Sequence, residues 1–243
     1  MPLLLFMRSL VCLMLALAAG CVSRPDIPAE IRQETHRLAL GREKATVDFY
    51  FRPDGKVRPL AVVVHGFLAN KDRMAHWGVS LAREGFVVAV PTNPTRANDD
   101  RNTAAIVALV ERGRSGQWPV AAVPDGRAVL VGFSRGGFET ILAAAALGDR
   151  IDAWIGLDPV DRDSKGQAAA TKVRVPGLAL LADPQPLNAN GNARRMLEAY
   201  AGPLEVVALP GAGHLDAESP RRGGKFADFE KRVVEFLRRV LPM

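Results

Sequence analysis

The apolar positions of the chain fall into two alternating kinds of run. Short, nearly continuous apolar stretches occur at 60–64, 86–90, 127–133, 151–157, 176–182 and 204–209. Runs of that length and density are expected of strands buried on both faces of a sheet. Between them, 73–83, 103–112, 136–147, 192–200 and 226–241 place apolar residues at helical spacing. Residues 46–52 alternate like an early strand, and Pro53-Asp54-Gly55-Lys56 reads as a turn. Strands alternating with helices predict an α/β fold: a mostly parallel central sheet, helices on both faces and right-handed crossovers. The link 158–175 is short and polar, which leaves no room for a large cap domain.

The first residues do not fit this pattern. Met7-Arg8 is followed by an apolar run from Leu10 to Ala19 and then Gly20-Cys21. A basic start, an apolar middle and a small-residue end are the parts of an export signal, and the run is too short to span a bilayer. Leu17-Ala18-Ala19-Gly20-Cys21 is similar to a bacterial lipobox, with Ala18 where Leu is commoner. That likeness implies lipidation of Cys21 and a membrane anchor in the cell envelope; a plain cleaved signal is the alternative. The expected organisation is a signal over 1–20, a polar tether over 21–40 and one catalytic domain over 41–243.

Composition narrows the classes. The 243 residues suffice for one core of good size, and the net charge is +6. A basic balance favours anionic surfaces weakly. The one dense basic run, Arg221, Arg222 and Lys225, reads as a solvated loop, so no nucleic-acid partner is expected. Cys12 and Cys21 are the only cysteines. The domain therefore has no disulfide, no Cys nucleophile and no Cys metal site.

Gly132-Phe133-Ser134-Arg135-Gly136, with Gly137 next, lies between an apolar strand and a good helix sequence. This is the nucleophile-elbow pattern of α/β-hydrolases. The serine must project from a sharp strand-to-helix turn, and small residues two before and two after it relieve the crowding. Serine needs a base, and this fold orders its triad Ser, acid, His. Of His36, His65, His76 and His214, only His214, in Gly211-Ala212-Gly213-His214-Leu215, follows Ser134. Two aspartates at strand ends lie between them, Asp158 and Asp183. Either can present a carboxylate at the active edge of the sheet. Most enzymes of this fold place the acid after the later strand, which favours Asp183. The oxyanion hole needs main-chain N–H groups, expected from Arg135 and Phe67. The side chain of His65 is expected to hold the Phe67 loop.

Three motifs carry a family resemblance: Ser134-Arg135-Gly136-Gly137, Gly156-Leu157-Asp158-Pro159-Val160-Asp161 and Gly213-His214-Leu215-Asp216. With His65-Gly66-Phe67 they resemble the chlorophyllase-like α/β hydrolases, related to dienelactone-hydrolase-like and cutinase-like esterases. In chlorophyllases the triad acid is the aspartate of the Gly-Leu/Ile-Asp-Pro-Val motif. The resemblance thus implies Asp158, with Asp183 kept as the alternative. It also implies hydrolysis of a carboxylic ester with an apolar acyl or alcohol group, acting on a small-molecule or lipid-like substrate. No metal or organic cofactor is implied. The alternatives are a weakly catalytic envelope binding protein of the same fold, or a thioesterase or amidase using the same triad.

Overall fold

The computed structural model describes residues 24–242. The predicted signal and Cys21 lie outside them. In chain order the main elements are β1 (Arg32–Leu40), β2 (Glu43–Phe51), β3 (Arg58–Val64), α1 (Ala75–Arg83), β4 (Val87–Pro91), α2 (Asp99–Arg114), β5 (Pro124–Phe133) and α3 (Arg135–Leu147). Then follow β6 (Ala153–Leu157), α4 (Lys165–Ala170), β7 (Gly177–Leu181), α5 (Arg194–Glu198), β8 (Leu204–Ala208) and α6 (Phe226–Val240).

The strands form one eight-stranded sheet in the order β1-β2-β4-β3-β5-β6-β7-β8. β1, β2 and β4 pair antiparallel; every pair from β4 through β3 to β8 is parallel. The side-chain period of two sorts each strand between two cores. Leu60, Val62 and Val64 face one cluster with Ile106 and Leu109 of α2, Ile141 and Ala144 of α3, and Met196 of α5. Ala61 and Val63 face the other, with Trp77 and Leu81 of α1 and Phe229, Val233 and Phe236 of α6. The apolar stripe of α6 is what docks it; each such side chain fully buried is worth about 1.5–3 kcal/mol. The link after Asp158 carries the short α4 and no cap domain among the described residues.

Two differences from the sequence reading have physical causes. Residues 32–40, assigned to the tether, are β1, paired with β2 from Arg32↔Phe51 to Leu40↔Glu43. The domain therefore begins before residue 41. β1 is an edge strand with polar residues over most of its length, and only Leu38 and Leu40 are buried on it. An edge of that kind lacks the apolar run that marks an inner strand. The usable signal was Gly41, at φ 63 in the two-residue turn to β2. Gln33 and Thr35 of β1 also donate to the buried Asp48 of β2. The second difference is at α2, which starts at Asp99 rather than 103. The Asn98 side chain caps it by accepting from Arg101 N, and Asp99 and Asp100 in its first turn favour the helix dipole.

The chain moves from β3 outward to β4, then crosses back to β5 on the other side of β3. The carboxyl ends of β3 and β5 flank that reversal, where open parallel sheets form their sites.

Candidate active site

Ser134 follows β5 directly and opens α3 at φ 54, ψ −120. A non-glycine residue is costly there, and the surroundings hold it by force of contacts. Its N–H donates to Leu157 O at 3.0 Å, and its carbonyl accepts from Gly137 N at 3.0 Å and Val160 N at 3.2 Å. The glycines around it answer to space. A Cβ on Gly132 would lie 2.3 Å from Gly136 O and 2.4 Å from Thr140 Oγ1. One on Gly136 would lie 2.4 Å from Val64 O, so the first turn of α3 rests on the backbone of β3.

The other residues arrive from neighbouring strand ends. Asp158 follows β6, and His214 lies in the loop after β8. His214 Nε2 is 2.9 Å from Ser134 Oγ, and His214 Nδ1 is 2.6 Å from Asp158 Oδ2. Ser134, Asp158 and His214 are 8%, 2% and 4% exposed, so the relay is shielded from water along most of its length. A carboxylate beside Nδ1 fixes the proton there and leaves Nε2 as acceptor toward the serine. The Phe133 ring packs 4.7 Å from the His214 ring and limits its rotation.

Asp158 is itself held on three sides. Oδ1 accepts from Ala182 N at 3.0 Å, and Oδ2 accepts from Asn188 Nδ2 at 3.0 Å as well as from His214. Asn188 is fully buried, and its own Oδ1 accepts from Gln185 N at 2.8 Å and Gly191 N at 3.2 Å. Asp183 is exposed and makes no bond to the histidine ring; its Oδ2 accepts from Gly211 N at 2.9 Å. The structure thus brings Asp158, not Asp183, to His214.

Phe67 and Arg135 meet beside the serine. The Arg135 Cζ lies 5.2 Å from the centre of the Phe67 ring. Their main-chain N–H groups donate to no other group among the described residues. A Cβ on Gly66 would lie 3.2 Å from Ser134 Cβ, which puts the Phe67 loop against the elbow. Phe67 and Leu68 are 50% and 59% exposed, an apolar lip next to the nucleophile position.

Behind the lip His65 belongs to a buried polar network whose asparagine and glutamate members the sequence did not suggest. His65 Nε2 accepts from Asn93 N at 3.0 Å and its Nδ1 lies 2.8 Å from Gly66 O. Burial pushes the imidazole down to about 4, so it stays neutral near pH 7. Glu139 of α3 accepts from Asn93 Nδ2 and Asn102 Nδ2, and burial pushes its carboxyl up to about 7. Arg135 is fixed by Asp99 Oδ1 at 2.6 Å and Arg96 O at 2.7 Å. Asn93, Asn102, Glu139 and Asn188 carry no spacing signal; polar residues in loops and helices read as surface.

Of the other histidines, His36 pairs with Glu34 on β1, and His76 lies on α1 beside the Phe226 ring. A recess of about 440 Å³ between α1 and the start of α6 is lined by His76, Ser80, Arg83 and Phe226, and none of the three relay residues lines it. Among the described residues no three His, Cys, Asp or Glu side chains are grouped to hold a metal ion. Likewise, no helix there is long and apolar enough to cross a membrane.

The chain is similar in fold to a dienelactone hydrolase from Anabaena variabilis, with a TM-score of 0.72 and 17% identity over 87% of this chain and 99% of that one. It is also similar to Est1E from Butyrivibrio proteoclasticus, with a TM-score of 0.70 and 16% identity over 86% of this chain and 99% of that one. At those identities the likeness carries the fold: an α/β-hydrolase without a large cap. No curated protein matches the sequence. The PET hydrolase-like family model matches residues 34–193, which run from within β1 to beyond β7 and include the elbow, Asp158 and Asn188 but not β8 or His214. That match covers more than half of the sequence, and the chain belongs to the PET hydrolase-like family of α/β hydrolases, a hydrolase of esterase type.

Proposed function

We propose that the protein hydrolyses carboxylic esters bearing an apolar acyl or alcohol group, through an acyl-enzyme on Ser134. The observation that carries this reading is the relay Ser134–His214–Asp158, with heavy-atom separations of 2.9 and 2.6 Å, on a positive-φ elbow. Hydrogen-bond reach from nucleophile to base, and from base to orienting acid, is what a serine nucleophile requires.

Ser134 Oγ attacks the ester carbonyl while His214 Nε2 takes its proton. Asp158 stabilises the imidazolium and keeps its orientation. The N–H groups of Phe67 and Arg135, free of other acceptors, hold the tetrahedral oxyanion; one such donor is worth on the order of 10²–10³ in kcat. Collapse expels the alcohol, which takes the proton from His214. Water then repeats the cycle on the acyl-enzyme, with His214 as base, and releases the acid. Phe67 and Leu68, both exposed, offer the apolar group a surface beside the nucleophile. The name of the matched family favours an ester of that kind, since its members are named for hydrolysing a polyester. We further propose that the protein works in the cell envelope, held there through a lipid on Cys21; the support for that is the sequence of the leader.

A panel of p-nitrophenyl esters from acetate to decanoate, with the matched thioesters and anilides, tests the reading on wild type and Ser134→Ala together. The expected result is turnover of oxygen esters by wild type only, with kcat/KM rising from acetate to a longer acyl chain. Equal turnover by both proteins, or preference for the anilides, would overturn it.

A further inference from the structure

We propose that Glu139 is a positioning residue that ties the two halves of the oxyanion hole together, through Asn93 and His65 on one side and Arg135 on the other. This rests on the function proposed above and extends it to a residue that touches no substrate.

The position is unusual for a carboxyl group. Glu139 is 0% exposed, on a helix otherwise rich in alanine and glycine. Burying a carboxylate costs several kcal/mol unless its partners compensate. Here both oxygens are used. Oε2 accepts from Asn93 Nδ2 at 2.5 Å, and Oε1 accepts from Asn102 Nδ2 at 2.8 Å with Arg135 Nε at 3.5 Å. Asp99 is the other charged group facing this cluster, and it pairs with Arg135.

Each branch ends at an oxyanion donor. An amide N–H can only donate, so the Asn93 N–H to His65 Nε2 bond leaves the proton on Nδ1. That Nδ1–H donates to Gly66 O. The Gly66 carbonyl and the Phe67 N–H belong to one planar peptide, so fixing the oxygen fixes the direction of the N–H. On the other branch Glu139 lies one turn after Arg135, whose own N–H is the second donor. The Arg135 guanidinium, held by Asp99 and Glu139, lies over the Phe67 ring. One carboxyl group therefore joins the β4 loop, the β3 loop and the first turn of α3. An apolar residue would fill the same space without that connection.

The test compares wild type, Glu139→Ala, Glu139→Gln and Asn93→Ala on one p-nitrophenyl ester. Each is titrated with a fluorophosphonate, so that kcat is counted per reactive Ser134. Misplacing a donor that acts in the transition state lowers kcat and leaves KM nearly alone. Glu139→Ala is expected to lose ~30-fold in kcat, somewhat less than outright removal of a donor, with KM within about twofold. Glu139→Gln keeps an acceptor for Asn102, and Asn93 can turn its Oδ1, which accepts nothing else among the described residues, toward the new amide. It is expected to stay within about threefold of wild type, since both asparagine bonds survive and Arg135, though it loses the 3.5 Å charge contact with Glu139, keeps its closer bond to Asp99. Asn93→Ala cuts one branch only, with an expected loss of ~10-fold, and decides the matter if Glu139→Ala does not fold.

Unchanged kcat in Glu139→Ala or Asn93→Ala would overturn the inference. So would a loss in Glu139→Gln as deep as in Glu139→Ala, or an effect on KM alone. Wild type that neither labels at Ser134 nor turns over ester would overturn the proposed function instead.

Discussion

Asp158→Asn separates the two aspartates, and its effect can be worked from the contacts. Asp158 Oδ1 faces Ala182 N–H, while Oδ2 faces both His214 Nδ1 and Asn188 Nδ2. An asparagine must put its NH2 at one of those places. At the Oδ1 place it opposes a main-chain N–H that cannot move. At the Oδ2 place it opposes Asn188, which cannot turn because its Oδ1 already accepts from Gln185 N and Gly191 N. The second placement costs less. Asn188 keeps its other bond, to Asp183 O, and His214 relieves the conflict by moving its proton to Nε2. That tautomer points N–H at Ser134 Oγ, where an acceptor is needed. The expected loss in kcat/KM is on the order of 10⁴, or about 5.5 kcal/mol. One buried bond is also lost, which costs about 1–3 kcal/mol of stability. Asp183→Asn keeps its single bond to Gly211 N through the amide oxygen, and kcat/KM is expected to stay within about twofold. The assay is kcat/KM on a p-nitrophenyl ester, with the folded fraction measured by circular dichroism. A larger loss from Asp183→Asn, or equal losses from both, would refute the assignment.

Other consequences are open to measurement. Gly132→Ala would put its Cβ 2.3 Å from the Gly136 carbonyl, a main-chain group that cannot yield. A loss of about 3 kcal/mol is expected, seen as a Tm lower by roughly 6 °C or more, and an unchanged Tm contradicts the packing argument. Stability against pH carries two opposed slopes. Glu139 in the fold keeps its proton up to about 7, against 4.5 in the unfolded chain, so its contribution falls as pH rises through that span. His65 in the fold stays neutral down to about 4, against 6.5 unfolded, so its contribution is lost as pH falls through that span. At about 1.4 kcal/mol per pH unit, each is on the order of 3 kcal/mol. The two nearly cancel between pH 4.5 and 6.5. Glu139→Gln should therefore expose a rise in Tm across that window that wild type lacks; parallel curves for the two proteins would count against both burial effects. Finally, Cys21→Ser is expected to abolish incorporation of labelled fatty acid in a bacterial host, and undiminished incorporation would remove the lipid anchor.

The parallel core of the fold was readable because its signal is local. Strands β3 to β7 are buried on both faces and show it as apolar runs, and the helices between them show their apolar stripes. The elbow was readable for a related reason, since the spacing of Gly132, Ser134 and Gly136 records main-chain crowding at one turn. The edge was not readable. β1 carries polar residues that bind Asp48 or face outward, and the run of alternation needed to recognise it is too weak. The acid was only half readable. Asp158 and Asp183 follow adjacent strands, and their difference lies in where the loops turn next. Asp158 sits at φ 42 with Ala182 N–H and Asn188 around it, contacts made across long separations in sequence. Glu139 was unreadable for the same reason: its partners Asn93 and Asn102 come from the loop after β4 and from α2.

The most direct measurement is the intact mass of the mature protein after reaction with a fluorophosphonate, followed by peptide mapping. A single adduct is expected, located on Ser134, with ester hydrolysis lost in step with labelling and both absent from Ser134→Ala. An adduct on another serine, or hydrolysis that survives full occupancy of Ser134, would contradict a nucleophile at the β5 elbow.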